Sequence, residues 1–484
     1  MTAKHTRYLV QLLLALAISG LGFFQLAYRS PDPLGRPLLV LMAVVTVLFL
    51  VMWGLACKFQ PYANQSIMAC VAMLTGIGTL MIALLDNENG TAVATRQMLW
   101  LCIALVCCCV LFAFMHDYRV LRRFSYVSMV VGLALLLSPL VPGLGREIGG
   151  ARIWIGVGSY QVQPGEFAKL FLAFFFASYL FTHRDQLAVG GKKVLGLQLP
   201  RLKDLGPIII VWVVSMGVLV LQHDLGTSLM FFAMFVAMLY VATGRVSWIV
   251  IGALAFAAGG LIAAKVFAHV GYRFDVWLHP FDQTIYNRTY GSSYQVVQGL
   301  FGMAAGGVLG TGISGGNPSL TPLANSDFIY ATTAEELGLA GVFAVLMLYL
   351  LIVAAGMIVA MKIKDGFGKL LASGLVFTMA FQVFVVVGGI TLVIPLTGLT
   401  LPYMAAGGSS LIANYVLAAL LVVISNAANK PEDDTMSDTF RMEAVQALRR
   451  RSVHGGSHVN TGTPPAQADD GVLDDTQDGG ARVE

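Results

Sequence analysis

The sequence predicts an all-α, polytopic membrane protein with about twelve transmembrane helices, and three observations carry that expectation. Of its 484 residues, 57% are hydrophobic and only 12% are charged, whereas a soluble domain carries roughly 25% charged residues. Apolar runs of about 20 residues recur along the chain, each long enough to cross a hydrocarbon core ~30 Å thick. The runs do not alternate in the short segments that a membrane β-barrel requires.

The spans are expected near 8–28, 37–57, 66–85, 97–115, 124–141, 165–182, 206–222, 226–243, 247–267, 331–361, 370–393 and 402–426. No cleavable signal follows the first run, so it is expected to stay as a span. The shortest junction is His223-Asp224-Leu225-Gly226. With the N-terminus inside, the inner loops hold Lys58, Arg119, Arg122, Arg123, Arg184, Lys192, Lys193, Arg201, Lys203, Arg245, Lys362, Lys364 and Lys369. The outer loops are poorer for their length, with Arg29, Arg36, Arg96, Arg146, Arg152, Arg273 and Arg288. This bias predicts a multi-pass protein of the cytoplasmic membrane with both termini in the cytoplasm.

The membrane domain is expected over 1–427, with long outer loops at about 142–164 and 268–330. The second of these precedes the third-last helix. Beyond it, residues 428–484 hold Pro431-Glu432-Asp433-Asp434, Arg449-Arg450-Arg451 and a Gly/Pro/Asp/Gln-rich end. Such a segment buries too little apolar surface to fold alone and reads as a disordered cytoplasmic tail, its arginines either solvated or touching anionic lipid. Cys57, Cys70, Cys102 and Cys107-Cys108-Cys109 fall in or beside spans without metal or disulfide spacing, and read as small packing residues. The net charge of +4 follows from the positive-inside bias and gives no argument for nucleic acid.

The polar chemistry gathers in the two outer loops. Asp327 lies in Ala324-Asn325-Ser326-Asp327-Phe328-Ile329-Tyr330 at the mouth of an apolar helix. An ionisable group there is costly and marks function by default, although Asp is also a favoured helix N-cap; both readings stand at this point. In Gln163-Pro164-Gly165-Glu166-Phe167-Ala168-Lys169, Pro164 suits the first helical turn and Glu166 suits its dipole. Lys169 follows at i+3, so the two charges can pair, either toward an internal cavity or as an interfacial anchor. The second loop opens with the amphipathic Tyr272-Arg273-Phe274-Asp275-Val276-Trp277-Leu278 and continues through Tyr294-Gln295-Val296-Val297-Gln298 to the run Gly306–Gly312. Gly310, Gly312 and Gly315 match G-x-G-x-x-G, but no strand–helix context surrounds them, so a dinucleotide site is excluded. Tight turns that approach a substrate phosphate or sugar are expected instead.

These motifs together resemble the SEDS family (shape, elongation, division and sporulation; RodA, FtsW and SpoVE), and most of all its actinobacterial RodA branch. The resemblance runs from about Gly149 to Ser425. It rests on Gly150-Ala151-Arg152-x-Trp154-Ile155, Gln163–Lys169, Asp224-Leu225-Gly226-Thr227, Ser326–Ile329 with Glu335-Glu336-Leu337-Gly338, and Thr397–Pro402 with Gly407-Gly408-Ser409-Ser410. Gly165, His223 and Ala405-Ala406 depart from the family's usual Ser, Pro and aromatic or Ser-Tyr pair. Five spans precede the Gln-Pro-Gly-Glu helix where the family usually has three.

The resemblance implies a SEDS-type fold and a peptidoglycan glycosyltransferase that polymerises lipid II on the outer face during elongation and shape maintenance. It implies Asp327 as the catalytic base, with Arg152, Gln163, Glu166, Lys169, Arg273, Gln295, Ser409 and Ser410 toward substrate. Trp154, Asp224, Glu335, Pro402, Gly407 and Gly408 would shape the cavity. A divalent cation, Mg²⁺ or Mn²⁺, for which Asp327 is the one candidate ligand, or basic residues such as Arg152 and Lys169, would neutralise the leaving diphosphate. Implied partners are lipid II, the growing glycan strand, a class B penicillin-binding protein and membrane lipid. The rival readings are a lipid II transporter, which would place charges deep in the spans and show internal repeats, and the division paralogue FtsW.

Overall fold

The structure, a computed structural model, describes residues 3–29, 35–148, 150–157, 160–184, 193–194, 197–198 and 206–431. Residues 432–484 of the expected tail, with its arginine cluster, and the basic residues Lys192, Arg201 and Lys203 lie outside the described residues, while residues 428 and 429 close the last helix. The residues up to Lys430 form one compact unit.

Helices dominate, as composition demands. In chain order they are α1 (Ala3–Arg29), α2 (Arg36–Phe59), α3 (Ser66–Asn89), α4 (Val93–Phe114), α5 (Ser125–Leu137) and α6 (Pro164–Thr182). There follow α7 (Gly206–Leu221), α8 (Leu225–Thr243), α9 (Ser247–Val266), α10 (Ala268–Leu278) and α11 (Tyr294–Gly306). The last three are α12 (Ile329–Lys362), α13 (Gly366–Ile390) and α14 (Gly408–Asn429). Among the described residues ten helices are long and apolar enough to span a membrane, and two of the twelve expected spans are the shorter apolar helices Ser125–Leu140 and Ile209–Val218.

The inner helices α3, α6, α13 and α14 are mostly buried, and an apolar core runs through them. Helix α1 packs on α3 and α2 on α4, so the first two helices form an outer layer, while α9 is almost wholly exposed. The junction at residues 222–224 is a tight reversal: His223 takes a left-handed φ of 59° and the Asp224 side chain caps α8 by accepting from the Thr227 N–H at 3.0 Å.

The loop at about 142–164 is more ordered than an irregular connection. It holds an antiparallel meander of β1 (Gly145–Ile148), β2 (Ala151–Val157) and β3 (Tyr160–Val162), with Arg146 opposite Trp154 and Gly156 opposite Gln161. The β-branched and aromatic run Ile153-Trp154-Ile155 favours the extended state. The Arg152 N–H donates to the Gln222 carbonyl at 3.1 Å, which ties the meander to the end of α7.

Helix α12 is broken at Gly338, whose φ of 67° and ψ of −172° only glycine adopts without strain. A break inside an apolar span frees backbone groups that hydrocarbon cannot satisfy. The glycine-rich run satisfies them. Thr311 and Gly312 N–H donate to the Glu335 and Glu336 carbonyls at 3.0 and 2.9 Å, and Leu339 and Ala340 N–H donate to the Gly307 and Val308 carbonyls at 2.9 and 3.0 Å.

Candidate functional site

Residues 391–407, between α13 and α14, form a non-helical connection on which the polar residues converge. Buried amides hold it from below. Gln97 of α4 donates to the Ala405 carbonyl at 3.0 Å and accepts from the Gly407 N–H at 3.1 Å. Gln382 of α13 donates to the Thr400 carbonyl at 2.9 Å. The Tyr349 hydroxyl donates to the Pro402 carbonyl, and the Ala406 N–H donates to the Asn325 carbonyl at 2.8 Å, two residues before Asp327.

Asp327 and Arg273 meet over this connection at Gly398. Arg273, on α10, donates from Nη1 to the Thr397 carbonyl at 2.9 Å. A Cβ built on Gly398, whose φ is 75°, would stand 3.7 Å from Asp327 Oδ2 and 3.8 Å from Arg273 Nη2. The Gly398 backbone thus lies beside both a carboxylate and a guanidinium, and its positive φ is what favours glycine there. Asp327 is half-buried, and desolvation pushes its carboxyl up to about 7, against the Arg273 charge and a Ser326 hydrogen bond that both lower it. Desolvation likewise raises Asp224, which faces the same arginine. The N-cap of α12 is Phe328, with no side-chain cap hydrogen bond, so the capping reading of Asp327 falls away.

A second polar group lies deeper. Pro164 occupies the first turn of α6, and Lys169 Nζ stands 2.6 Å from Glu166 Oε2, the two residues being 1% and 6% exposed. Lys169 also donates to Asn414 Oδ1 at 3.1 Å and Gln382 Oε1 at 3.3 Å. Its three ammonium hydrogens are thus matched by three acceptors, which makes a buried charge tenable. Asn414 donates to Ser410, whose hydroxyl meets Thr400 Oγ1 at 3.2 Å, so the network returns to the 391–407 connection. Ser409 accepts from the Gln163 N–H at 2.8 Å, Trp100 packs against Gly408, and Gly407 precedes α14.

Asp327, Arg273, Asp224, Gln163, Glu166, Lys169, Pro402, Gly407, Gly408, Ser409 and Ser410 are thus brought to one connection and its supports. Others are placed elsewhere. Gln295 on α11 donates to the Pro322 carbonyl at 2.9 Å and braces the approach to Asp327, and Trp154 stays with Arg152 on the meander. Glu335 and Glu336 turn away from Asp327. They accept from the Asn317, Ser314 and Gly316 N–H groups of the glycine-rich loop at 2.7, 2.7 and 3.2 Å. That loop does not converge on Asp327. A Cβ at Gly310 would stand 2.2 Å from the Glu336 carbonyl oxygen, so its glycines allow backbone to meet backbone at the α12 break. Gln97, Gln382 and Asn414 escaped the sequence reading, although amides inside apolar spans are themselves a signal.

The donor set does not make a resident metal site. Among the described residues no group of three His, Cys, Asp or Glu could hold an ion, and the group opposing Asp327 is itself a cation.

A family profile described as "Cell cycle protein" (FtsW/RodA/SpoVE) matches residues 62–430. The chain is 44% identical over 381 residues to the peptidoglycan glycosyltransferase RodA of Mycobacterium tuberculosis, covering 77% of this chain and 80% of that one. It is 30% identical over 336 residues to stage V sporulation protein E of Bacillus subtilis, covering 69% and 86%. Among solved structures, it resembles a chain from a study of polymerization and crosslinking by a peptidoglycan synthase complex, with a TM-score of 0.61, 26% identity and coverage of 76% and 99%. The Thermus thermophilus rod shape determining protein RodA aligns at a TM-score of 0.52 and 25% identity, covering 76% and 98%. The chain belongs to the FtsW/RodA/SpoVE family.

Proposed function

We propose that this chain is a peptidoglycan glycosyltransferase of the RodA type, polymerising lipid II on the outer face of the cytoplasmic membrane during elongation, with Asp327 as general base. One observation carries the reading: a half-buried carboxylate whose titration is moved toward neutrality stands with an arginine beside the Gly398 backbone. A base poised near the working pH is what deprotonation of a sugar hydroxyl asks for.

The GlcNAc 4-hydroxyl of one chain gives its proton to Asp327 as its oxygen bonds to the anomeric carbon of MurNAc. The bond from that carbon to the diphosphate oxygen breaks, and the polyprenyl diphosphate leaves with the electron pair. Arg273 faces the developing negative charge. A single displacement inverts the anomeric centre. Glu166, Lys169, Gln382 and Asn414 hold the floor on which Gly398 sits, and act on the reaction through that floor.

Both termini lie in the cytoplasm by the distribution of basic residues. A class B penicillin-binding protein is the proposed partner, because the complex that the chain resembles couples polymerization to crosslinking. Purified protein in liposomes with labelled lipid II and that partner separates the two functional classes. Glycan polymer is the expected product. Movement of intact lipid II between leaflets without polymer would establish the transporter in its place.

A further inference from the structure

Helix α10 carries Arg273 yet is only 11 residues long, too short to be stable alone, so its packing decides where the guanidinium stands. Its neighbour α9 is almost wholly exposed and offers little to hold it. Toward its C-terminal end α10 is tied by Trp277, which donates to the Leu392 carbonyl at 2.9 Å, and by the Arg288–Asp275 pair at 2.8 Å. Its first turn is held by rings. The His269 imidazole packs on that of His223 with centroids 5.1 Å apart and planes at 87°, and lies 5.8 Å from the Phe267 ring. His269 and Arg273 stand at i and i+4 on one face of α10. His223 adjoins Asp224 at the α7–α8 junction, so the histidines meet beside the place where Asp224 faces Arg273. Given the roles proposed for Asp327 and Arg273, we infer that His269 is a positioning residue: its neutral ring on His223 seats Arg273 at the Thr397 carbonyl, and protonation of the histidine pair releases it.

The contact favours uncharged rings. His269 Nε2 is buried with no hydrogen-bond partner among the described residues, and protonation would make it a donor with nothing to receive its hydrogen. Edge-to-face packing attracts neutral rings, whereas two imidazolium charges this close repel each other, and Arg273 one turn on repels His269 as well. The carboxylates nearby are engaged elsewhere: Asp224 and Asp327 face Arg273, and Asp275 pairs with Arg288. The remaining charges on the adjoining elements are cations, the exposed Lys265 at the end of α9 and Arg152, whose N–H is bonded to the Gln222 carbonyl beside His223.

Burial, His223 and Arg273 accordingly hold the His269 imidazole below its ordinary range. A lowered value means that the folded contact binds fewer protons than the free ring. The contact is therefore whole above the ordinary histidine value of 6.5 and is lost as pH falls through the lowered one. Its loss frees the first turn of α10 and takes Arg273 away from Thr397 and Asp327. Because Arg273 lowers the Asp327 pKa, its withdrawal adds to protonation of the base, and the two losses compound.

The test is full-length protein in liposomes with the partner transpeptidase and labelled lipid II, comparing wild type, His269→Phe and His269→Ala across the acidic range. Below about pH 6 the wild-type rate should fall more steeply than the roughly tenfold per pH unit that protonation of a single base gives. His269→Phe keeps a ring on His223 without a titrating nitrogen, and a charged His223 is not repelled by it. It should retain most of the rate at neutral pH and follow the single-base slope, while His269→Ala, with no ring, should be slowed several-fold at every pH. Amide hydrogen exchange over residues 268–278 reads the contact without catalysis: protection should drop several-fold between about pH 7.5 and about pH 5.5 in wild type and stay level in His269→Phe. Equal pH–rate slopes in these two proteins, or α10 protection that responds to pH in neither or in both alike, overturn the inference. Absence of polymer in every sample counts against the proposed function, and the exchange result then decides by itself whether the histidine pair holds α10.

Discussion

The proposed chemistry rests on Asp327, Arg273 and Gly398, and each supports a separate expectation. If Asp327 is the base, polymerisation falls about tenfold per pH unit below its titration near 7 and levels off above it. The sign follows from the base acting when deprotonated. Arg273 lowers the Asp327 pKa, so Arg273→Gln should move that acidic limb to higher pH as well as slow the reaction; a pH–rate profile of the two proteins checks both effects. Gly398→Ala places a methyl group against both carboxylate and guanidinium at a φ of 75° and should reduce turnover more than stability. Lys169→Met leaves Glu166 as an unpaired buried charge and should cost about 3–5 kcal/mol, while Glu166→Gln in the same protein restores much of the melting temperature. Thermal unfolding in detergent measures both variants.

At the scale of elements, the break in α12 is a designed joint whose free ends are tied by the glycine-rich loop. Gly338→Ala would drive a Cβ to 2.2 Å from the Gly310 nitrogen and should destabilise the protein by more than the about 1–3 kcal/mol of backbone strain alone. Limited proteolysis of the 306–317 loop should accelerate with it. Local relations were legible in the sequence: the Glu166–Lys169 pair follows from i,i+3 spacing, and the start of α6 from Pro164. Relations across the chain were not. Nothing in the glycine spacing showed that these residues serve a helix break, nor that Glu335 and Glu336 face that loop and away from Asp327. The amides Gln97, Gln382 and Asn414 acquire meaning only when folding brings them under one connection.

For the whole molecule, hydropathy marked the ten helices long and apolar enough to span, because the bilayer's thickness dictates their length and composition, and the other two expected spans are shorter apolar helices. The meander at 145–162 was missed because its strands are too short to stand out from a polar loop. The proposed topology predicts that green fluorescent protein fused after Lys430 is fluorescent; a dark fusion, with alkaline phosphatase active at the same position, would invert the assignment of outer and inner loops.

The general-base role of Asp327 is tested most directly by lipid II polymerisation with the partner transpeptidase present, comparing wild type, Asp327→Asn and Asp327→Ala. A loss of about 10²–10⁴-fold in rate for both variants, with unchanged folding and partner binding, is the expected result. Polymer formed by either variant at the wild-type rate would contradict the account.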